Sequence, residues 1–202
     1  MSKGNIFVIS AASGTGKTTL VSRLVQQHPN VRVSVSHTTR PPRAGEVNGQ
    51  HYHFVSEEEF VRLAGEGAFL EHAQVFGNYY GTSYESVQSM CEQGYDVILE
   101  IDVQGAQQVR KALPEALSIF ILPPSLAVLE QRLRQRQTDS EEVIARRLSE
   151  AVDEIQQALT FDYVVSNRSL QQAEEELWCI FQAARLLKRN HVASIEKVLQ
   201  NT

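Results

Sequence analysis

Apolar runs of strand length alternate with segments whose apolar residues recur every three or four positions, and this rhythm fills most of the chain. Ile6 to Ser10 is a continuous run that predicts a buried first strand. A glycine-rich turn follows, and Leu20, Val21, Leu24 and Val25 then mark one face of a helix that Pro29 ends. Val31, Val33 and Val35 alternate with polar residues, the pattern of a half-buried strand. Residues 37–50 hold two prolines and two glycines and read as loop, with His51 to Val55 as a short strand. Ser56 with Glu59 forms a capping box ahead of a helix bearing Phe60, Val61, Leu63 and Ala64. Phe69 to Phe76 returns as a strand, Asn78 to Thr82 reads as a turn, and Ser83 to Gln93 as a helix stopped by Gly94.

The second half repeats the alternation more cleanly. Val97 to Ile101 and Leu117 to Leu122 are buried strands, separated by a helix with Ala106, Val109 and Leu113 that runs up to Pro114. Leu126, Leu129 and Leu133 share a helical face. Residues 134–142 are polar throughout and read as a mobile flap, and Ser140 is placed to cap the next helix with Glu141 and Glu142 in its first turn. Asp162 to Val165 is a last short strand. Leu170, Ala173, Leu177, Ile180, Phe181, Ala184 and Leu187 then define a long amphipathic helix whose stripe, with Trp178, reads as core packing.

Strands alternating with helices predict an α/β fold with a mostly parallel sheet. Residues 37–86 break the rhythm with short strands and many Tyr, Gly and His, so they read as a small inserted domain. The core is then 1–36 with 87–202, and a lid occupies about 126–150 inside it.

Composition narrows the function classes. With 202 residues, 42% hydrophobic and 21% charged, the chain is neither disordered, collagen-like nor a disulfide scaffold. A net charge of −5 is the wrong balance for a basic nucleic-acid-gripping surface, yet a few converging Arg and Lys suffice for a small anion. Cys91 and Cys179 share no metal-ligand spacing and are expected as two buried, reduced thiols. The first apolar run is too short for a signal peptide core or a membrane span. A soluble, cytoplasmic protein with no membrane or nucleic-acid partner is therefore expected.

The first strand leads into Ala11-Ala12-Ser13-Gly14-Thr15-Gly16-Lys17-Thr18, a P-loop pattern with Ala11 where the first glycine usually stands. Backbone N–H groups of such a loop converge on phosphate oxygens, and the following helix adds its positive end. Lys17 supplies a mobile cation, and the Thr18 hydroxyl is a candidate Mg²⁺ ligand. Glu100 and Asp102 end a buried strand at the edge where α/β sheets bind ligands, so they are candidates to hold that ion through water. An ordinary solvated strand end is the competing reading.

A second anion site is suggested by Arg40, Arg43 and Tyr52, because Arg forks bind phosphate bidentately and a Tyr hydroxyl adds a donor. Glu46 is placed to hold an Arg. From spacing alone a solvated basic loop is as good a reading. The whole run TTRPPRAGEVNGQHYHF, from Thr38 to Phe54, resembles the guanylate kinase signature. GNYYGTS, EIDVQGAQ, IFILPPS and RLRQRQTDSEEVIARR resemble the same family in its bacterial form, so the likeness covers nearly the whole chain, to about residue 190.

That resemblance implies a P-loop NTPase fold with an inserted GMP-binding domain at 37–86 and a helical lid. It implies Mg²⁺-dependent transfer of the γ-phosphoryl of ATP to GMP, with dGMP as a second acceptor, giving ADP and GDP. It also implies roles. Ala12, Ser13, Gly14, Thr15, Gly16, Lys17, Thr18, Thr19 and Asn167 match the ATP site. Arg40, Arg43, Tyr52 and Tyr80 match residues that hold the GMP phosphate, with Glu46 organising them. Ser36, Glu71, Thr82 and Asp102 match those around the guanine. Lys17, Arg40, Arg132, Arg136 and Arg147 match the groups that close on the migrating phosphoryl. Departures are Gln137 for a lid glycine, Arg168-Ser169 for an acidic pair after Asn167, and Glu100 for a shorter Asp. Homo-oligomerisation is compatible with this reading.

Two alternatives stand beside it. A ribose 1,5-bisphosphate kinase on the same scaffold would need no guanine pocket, and the intact Ser36, Glu71, Thr82 and Asp102 set argues against it. A non-catalytic interaction module would lack the P-loop and lid cations that stand here. His51 and His53 fall on one face of the expected strand, where a two-His metal site is conceivable but lacks a third ligand. His37 and His72 are expected near the acceptor site.

Overall fold

The computed structural model describes residues 3–75, 77–135 and 140–200. Its elements begin β1 (Ile6–Ala11), α1 (Lys17–Gln27), β2 (Val31–Val33), β3 (His37–Thr38), β4 (His53–Phe54) and α2 (Glu57–Gly65). The chain continues through β5 (Phe69–Val75), β6 (Asn78–Ser83), α3 (Tyr84–Glu92), β7 (Asp96–Glu100), α4 (Val103–Ala112) and β8 (Leu117–Leu122). It closes with α5 (Leu126–Gln135), α6 (Glu141–Gln156), β9 (Tyr163–Ser166), α7 (Leu170–Arg185) and α8 (Val192–Gln200).

The apolar runs form the interior of a five-stranded sheet of order β2-β7-β1-β8-β9. Every pairing in it is parallel. Alternation along β1 divides the core. Phe7 and Ile9 join Leu20, Leu24, Leu177 and Phe181 under α1 and α7. Val8 turns the other way to meet Leu99, Val87 and Val109 under α3 and α4. Phe7 and Phe181 stack with centroids 3.7 Å apart, and both are fully buried. Burying each such ring contributes roughly 2–3 kcal/mol, and Phe7→Ala would cost about 3–5 kcal/mol with its cavity. A third cluster packs Leu129 and Leu133 of α5 and Ile144 and Ala151 of α6 on Ala12 of the P-loop.

A second sheet, β4-β3-β6-β5, is built from residues between His37 and Ser83. Only β3–β4 is parallel within it. Phe60 of α2 covers one face, stacking on Phe69 at 4.6 Å and Tyr79 at 5.3 Å.

Several expectations need correction. Asn78 to Thr82 is not a turn but most of β6, an inner strand paired on both sides. Its turn-like Gly81 is there because a Cβ would sit 3.0 Å from Phe60 and 3.1 Å from Phe69. His37–Thr38, expected as loop, pairs with β4 and β6. Cys91 is buried, and burial pushes its thiol up to about 11, but Cys179 is exposed on α7. His51 lies outside β4 and accepts from the Val47 N–H through Nδ1, while His53 stacks on His37 at 4.7 Å. No group of three or more metal-ligating side chains occurs among the described residues. Leu187 falls beyond α7 and is 37% exposed. The helix α8 was not foreseen. Of the expected flap, residues 136–139 lie outside the described residues, while 134–135 belong to α5 and 141–142 to α6. None of the described helices is long and apolar enough to cross a membrane.

Candidate active site

The P-loop leaves β1 at the C-terminal edge of the parallel sheet and enters α1. Helices α2, α3, α4, α6 and α7 each carry a Ser or Asp cap, whereas α1 starts at Gly16 with no side-chain cap and no acid in its first turn. Its first amides are therefore open to an anion. Gly16 has φ 100°, and a Cβ there would meet Asn167 Nδ2 at 2.7 Å. Asn167 Nδ2 and Arg132 Nη1 each donate to the Thr15 carbonyl at 2.8 Å. These two bonds turn the Thr15 carbonyl toward Asn167 and Arg132, and the Thr15 N–H closes a turn on the Ala12 carbonyl at 3.1 Å. Thr15 itself is buried, and its hydroxyl has no partner.

Lys17 reaches back along the sheet edge. Its Nζ donates to the Ile101 carbonyl at 3.2 Å and lies 3.9 Å from Glu100. Only 20% of its side-chain surface is open, so burial pulls its pKa down, while Glu100, Asp102 and Glu154 oppose the fall. The Thr18 hydroxyl donates to Glu100 Oε1 at 2.5 Å. Gly14, Gly16, Thr19, Arg132, Asn167 and Arg168 line a cavity of about 270 Å³ beside the loop.

Glu154 is a site residue that sequence reading missed. It lies on α6, seven residues from Arg147 and so on the same face, and its carboxylate takes the Ser13 backbone N–H. Burial raises its pKa, and Lys17 pulls the other way. The available signal was the spacing Arg147, Ala151, Glu154. Arg136 lies outside the described residues.

The second sheet contributes two clusters. In the first, Arg40 Nη2 donates to both Glu46 oxygens at 2.8 and 3.0 Å, and Glu46 also accepts from the Arg43 backbone N–H at 2.7 Å. Arg40 interacts with the Tyr80 hydroxyl and lies over the Tyr52 ring at 5.5 Å. The Arg40 hydrogen bonds hold Glu46 below the usual carboxylate range. Arg43 joins this cluster through its backbone, and its side chain is exposed.

In the second cluster, Glu71 and Thr82 are cross-strand partners on β5 and β6. The Thr82 hydroxyl donates to Glu71 Oε1 at 2.6 Å, and Ser36 Oγ lies 3.4 Å from Thr82 Oγ1. Glu71 is 5% exposed. Burial raises its pKa, the Thr82 bond lowers it, and nearby Asp102 raises it again. Asp102 caps α4 through the Gly105 N–H at 2.8 Å. It opens on a cavity of about 570 Å³ shared with Gln74, Glu150 and Glu154. His37 packs against His53 and Phe69, and His72 accepts and donates at its backbone to Gln108; neither imidazole enters the Glu71 cluster.

An uncapped phosphate cradle at the edge of a parallel sheet, together with a guanidinium cluster and a buried glutamate beside Asp102, defines a phosphotransferase of the P-loop NTPase fold. The guanylate kinase family model matches residues 3–184. The chain is 64% identical over 200 residues to a guanylate kinase of Neisseria gonorrhoeae, covering 99% of this chain and 98% of that one. It is 52% identical over 198 residues to a guanylate kinase of Methylobacillus flagellatus, covering 98% of each. The crystal structure of guanylate kinase from Anaplasma phagocytophilum superposes with a TM-score of 0.77 at 33% identity, over 96% of this chain and 94% of that one. The chain therefore belongs to the guanylate kinase family, and its activity is that of an ATP:GMP phosphotransferase. Neither a ribose bisphosphate kinase nor a non-catalytic module is favoured by these matches.

Proposed function

We propose that the phosphoryl group passes between the P-loop cradle and the Arg40 cluster, with Glu71 selecting the acceptor base. Residues 37–86 form the GMP-binding unit of this scheme, and about 126–150 form the lid. The buried Glu71–Thr82 pair beside Asp102 carries the reading. Guanine presents N1–H and N2–H₂ as adjacent donors, which a carboxylate accepts, whereas adenine offers an acceptor at N1 and is repelled. Ser36 and Thr82 extend that polar wall. Arg40, Arg43, Tyr52 and Tyr80 take the GMP phosphate, and Glu46 holds the Arg40 fork in place.

On the donor side, the loop from Ala12 to Thr19 takes the ATP phosphates, led by the first amides of α1, and Asn167 with Arg168 borders the base. Thr18 and Glu100 are hard oxygen donors side by side at the cradle, which fits Mg²⁺ with water and phosphate completing its shell. Asp102 would be a further carboxylate to hold the ion through water. A bound Mg²⁺ would neutralise charge on the phosphates. Lys17, Arg132, Arg147 and Arg136 supply positive charge where it develops in a loose transition state. Positioning does the rest, because the GMP phosphate oxygen is already anionic and needs no general base. Lid closure over the cradle excludes water, a competing acceptor. The same pocket admits dGMP, since none of these contacts addresses the 2′-hydroxyl. A cytoplasmic protein, alone or self-associated, suits these substrates.

The test is ADP release measured with GMP, AMP, CMP, UMP and ribose 1,5-bisphosphate as acceptors. GMP is expected to exceed every other acceptor. Equal use of AMP, or preference for the ribose bisphosphate, overturns the base-selecting role of Glu71.

A further inference from the structure

Helix α4 carries a glycine at its third position, Gly105, fully inside the protein. Helix propensity favours alanine there, and Gly105 is absent from the glycines with positive φ. The backbone therefore gives no reason for glycine. The reason is Glu71. A Cβ on Gly105 would stand 2.8 Å from Glu71 Oε2, 3.3 Å from its Cδ and 3.4 Å from Asp102 Oδ1. The two carboxylates meet across this bare Cα, and Asp102 is already bonded to the Gly105 N–H.

Glu71 has little room to retreat. Its Oε1 is held by Thr82, and the carboxylate is almost wholly buried. The strand that carries it is clamped to α4 by Gln108. That amide accepts from the His72 N–H at 3.2 Å and donates to the His72 carbonyl at 3.1 Å. Strand and helix cannot separate without breaking both bonds. An added methyl would displace the flexible end of Glu71 before it displaced the fold.

We propose that Gly105 is a specificity-determining positioning residue, whose missing side chain sets where the Glu71 carboxylate stands beside Asp102 and so how well the 2-amino group of the acceptor base is read. This rests on the assignment of Glu71 to the guanine. Gly105 touches no substrate in this scheme and acts through Glu71 alone.

The experiment compares kcat/KM for GMP and for inosine monophosphate, which lacks the 2-amino group, in wild type, G105A, E71D, G105A/E71D and E71A. In G105A the GMP-to-IMP preference is expected to fall about tenfold, chiefly through KM for GMP, with KM for ATP and the melting temperature little changed. Asp is one methylene shorter and draws the carboxylate back from position 105. E71D should therefore impair GMP use in the wild-type background and improve it in the G105A background, a coupling of reversed sign. A G105A protein with wild-type preference, or an E71D effect of the same sign in both backgrounds, overturns the proposal while E71A still loses GMP. If E71A keeps full GMP preference, the guanine assignment itself fails, and the proposal with it. Should G105A not fold, a folded double variant supports the steric account, and an unfolded one overturns it.

Discussion

Strand β7 begins and ends in a carboxylate, and the two ends behave oppositely. At its start Asp96, with 3% of its side chain exposed, accepts from the Asn5 N–H at 2.9 Å, Asn5 Nδ2 at 3.2 Å and Arg185 Nε at 2.8 Å. Asn190 Nδ2 in turn donates to Asn5 Oδ1. At its finish Glu100 takes one hydroxyl from Thr18 and a distant ammonium from Lys17. The first carboxylate is saturated by the protein and ties β1, β7 and α7 together. The second keeps oxygen capacity that the chain does not fill, and at its neighbour Lys17 burial lowers the pKa while three acids oppose the fall. A charge with all its partners supplied is structural; a charge held in place with partners missing is prepared for a ligand.

The comparison breaks most visibly at Lys17. Lys17→Met should lower kcat by about 10³-fold, because a cation aimed at developing charge is lost, while GMP binding stays within about twofold. Steady-state kinetics with GMP titration reads both, and near-normal kcat would refute the role. Asp96→Ala should do the reverse. It strands two buried Asn5 donors and is expected to cost about 2–3 kcal/mol, allowing for the partly exposed Arg185, or roughly 5–10 °C in melting temperature. Its kcat at saturation should match wild type. Glu100→Gln is expected to reduce kcat by about 10–10²-fold with an unchanged melting temperature; a stability loss like that of Asp96→Ala would erase the distinction between the ends. Glu46→Ala frees the Arg40 fork and should raise KM for GMP about tenfold with little change in KM for ATP.

The smallest effect is a pH dependence. In the proposed scheme Glu71 accepts both adjacent guanine donors only as a carboxylate, and burial holds its pKa above the ordinary value of about 4.3. As pH falls from neutral, KM for GMP should climb before an exposed glutamate would protonate. For folding the sign is opposite: the native state binds this proton more tightly, so the group stabilises at low pH and loses that contribution as pH rises through its folded pKa. A KM–pH profile unchanged in Glu71→Gln would remove Glu71 from the explanation.

Much of the cradle could be read directly, because a P-loop is a local object: consecutive residues, their own amides and the helix they start. Strands with continuous apolar runs, such as Leu117–Leu122, were placed to the residue. Reading failed where local chemistry was overruled. Asn78 and Gly81 have turn chemistry, yet β6 is held by ladders on both sides and by the Phe60–Phe69 stack over Gly81. Cys179 has the residue type of a core position but sits on the outer face of α7. The spacing of Arg147, Ala151 and Glu154 marks a shared helix face but not the contact of Glu154 with Ser13, which arises only through the packing of α6 on Ala12.

By itself the sequence determined the alternation of strands and helices, the phosphate loop and the family likeness, all of which rest on residues close along the chain. Only the tertiary structure decided that Glu71 meets Thr82, that Glu100 meets Thr18, and that the Glu71 carboxylate stands against Gly105. Those facts depend on distances of a few ångströms between segments far apart in the chain, and such distances exist only once the two sheets and the helices between them have packed.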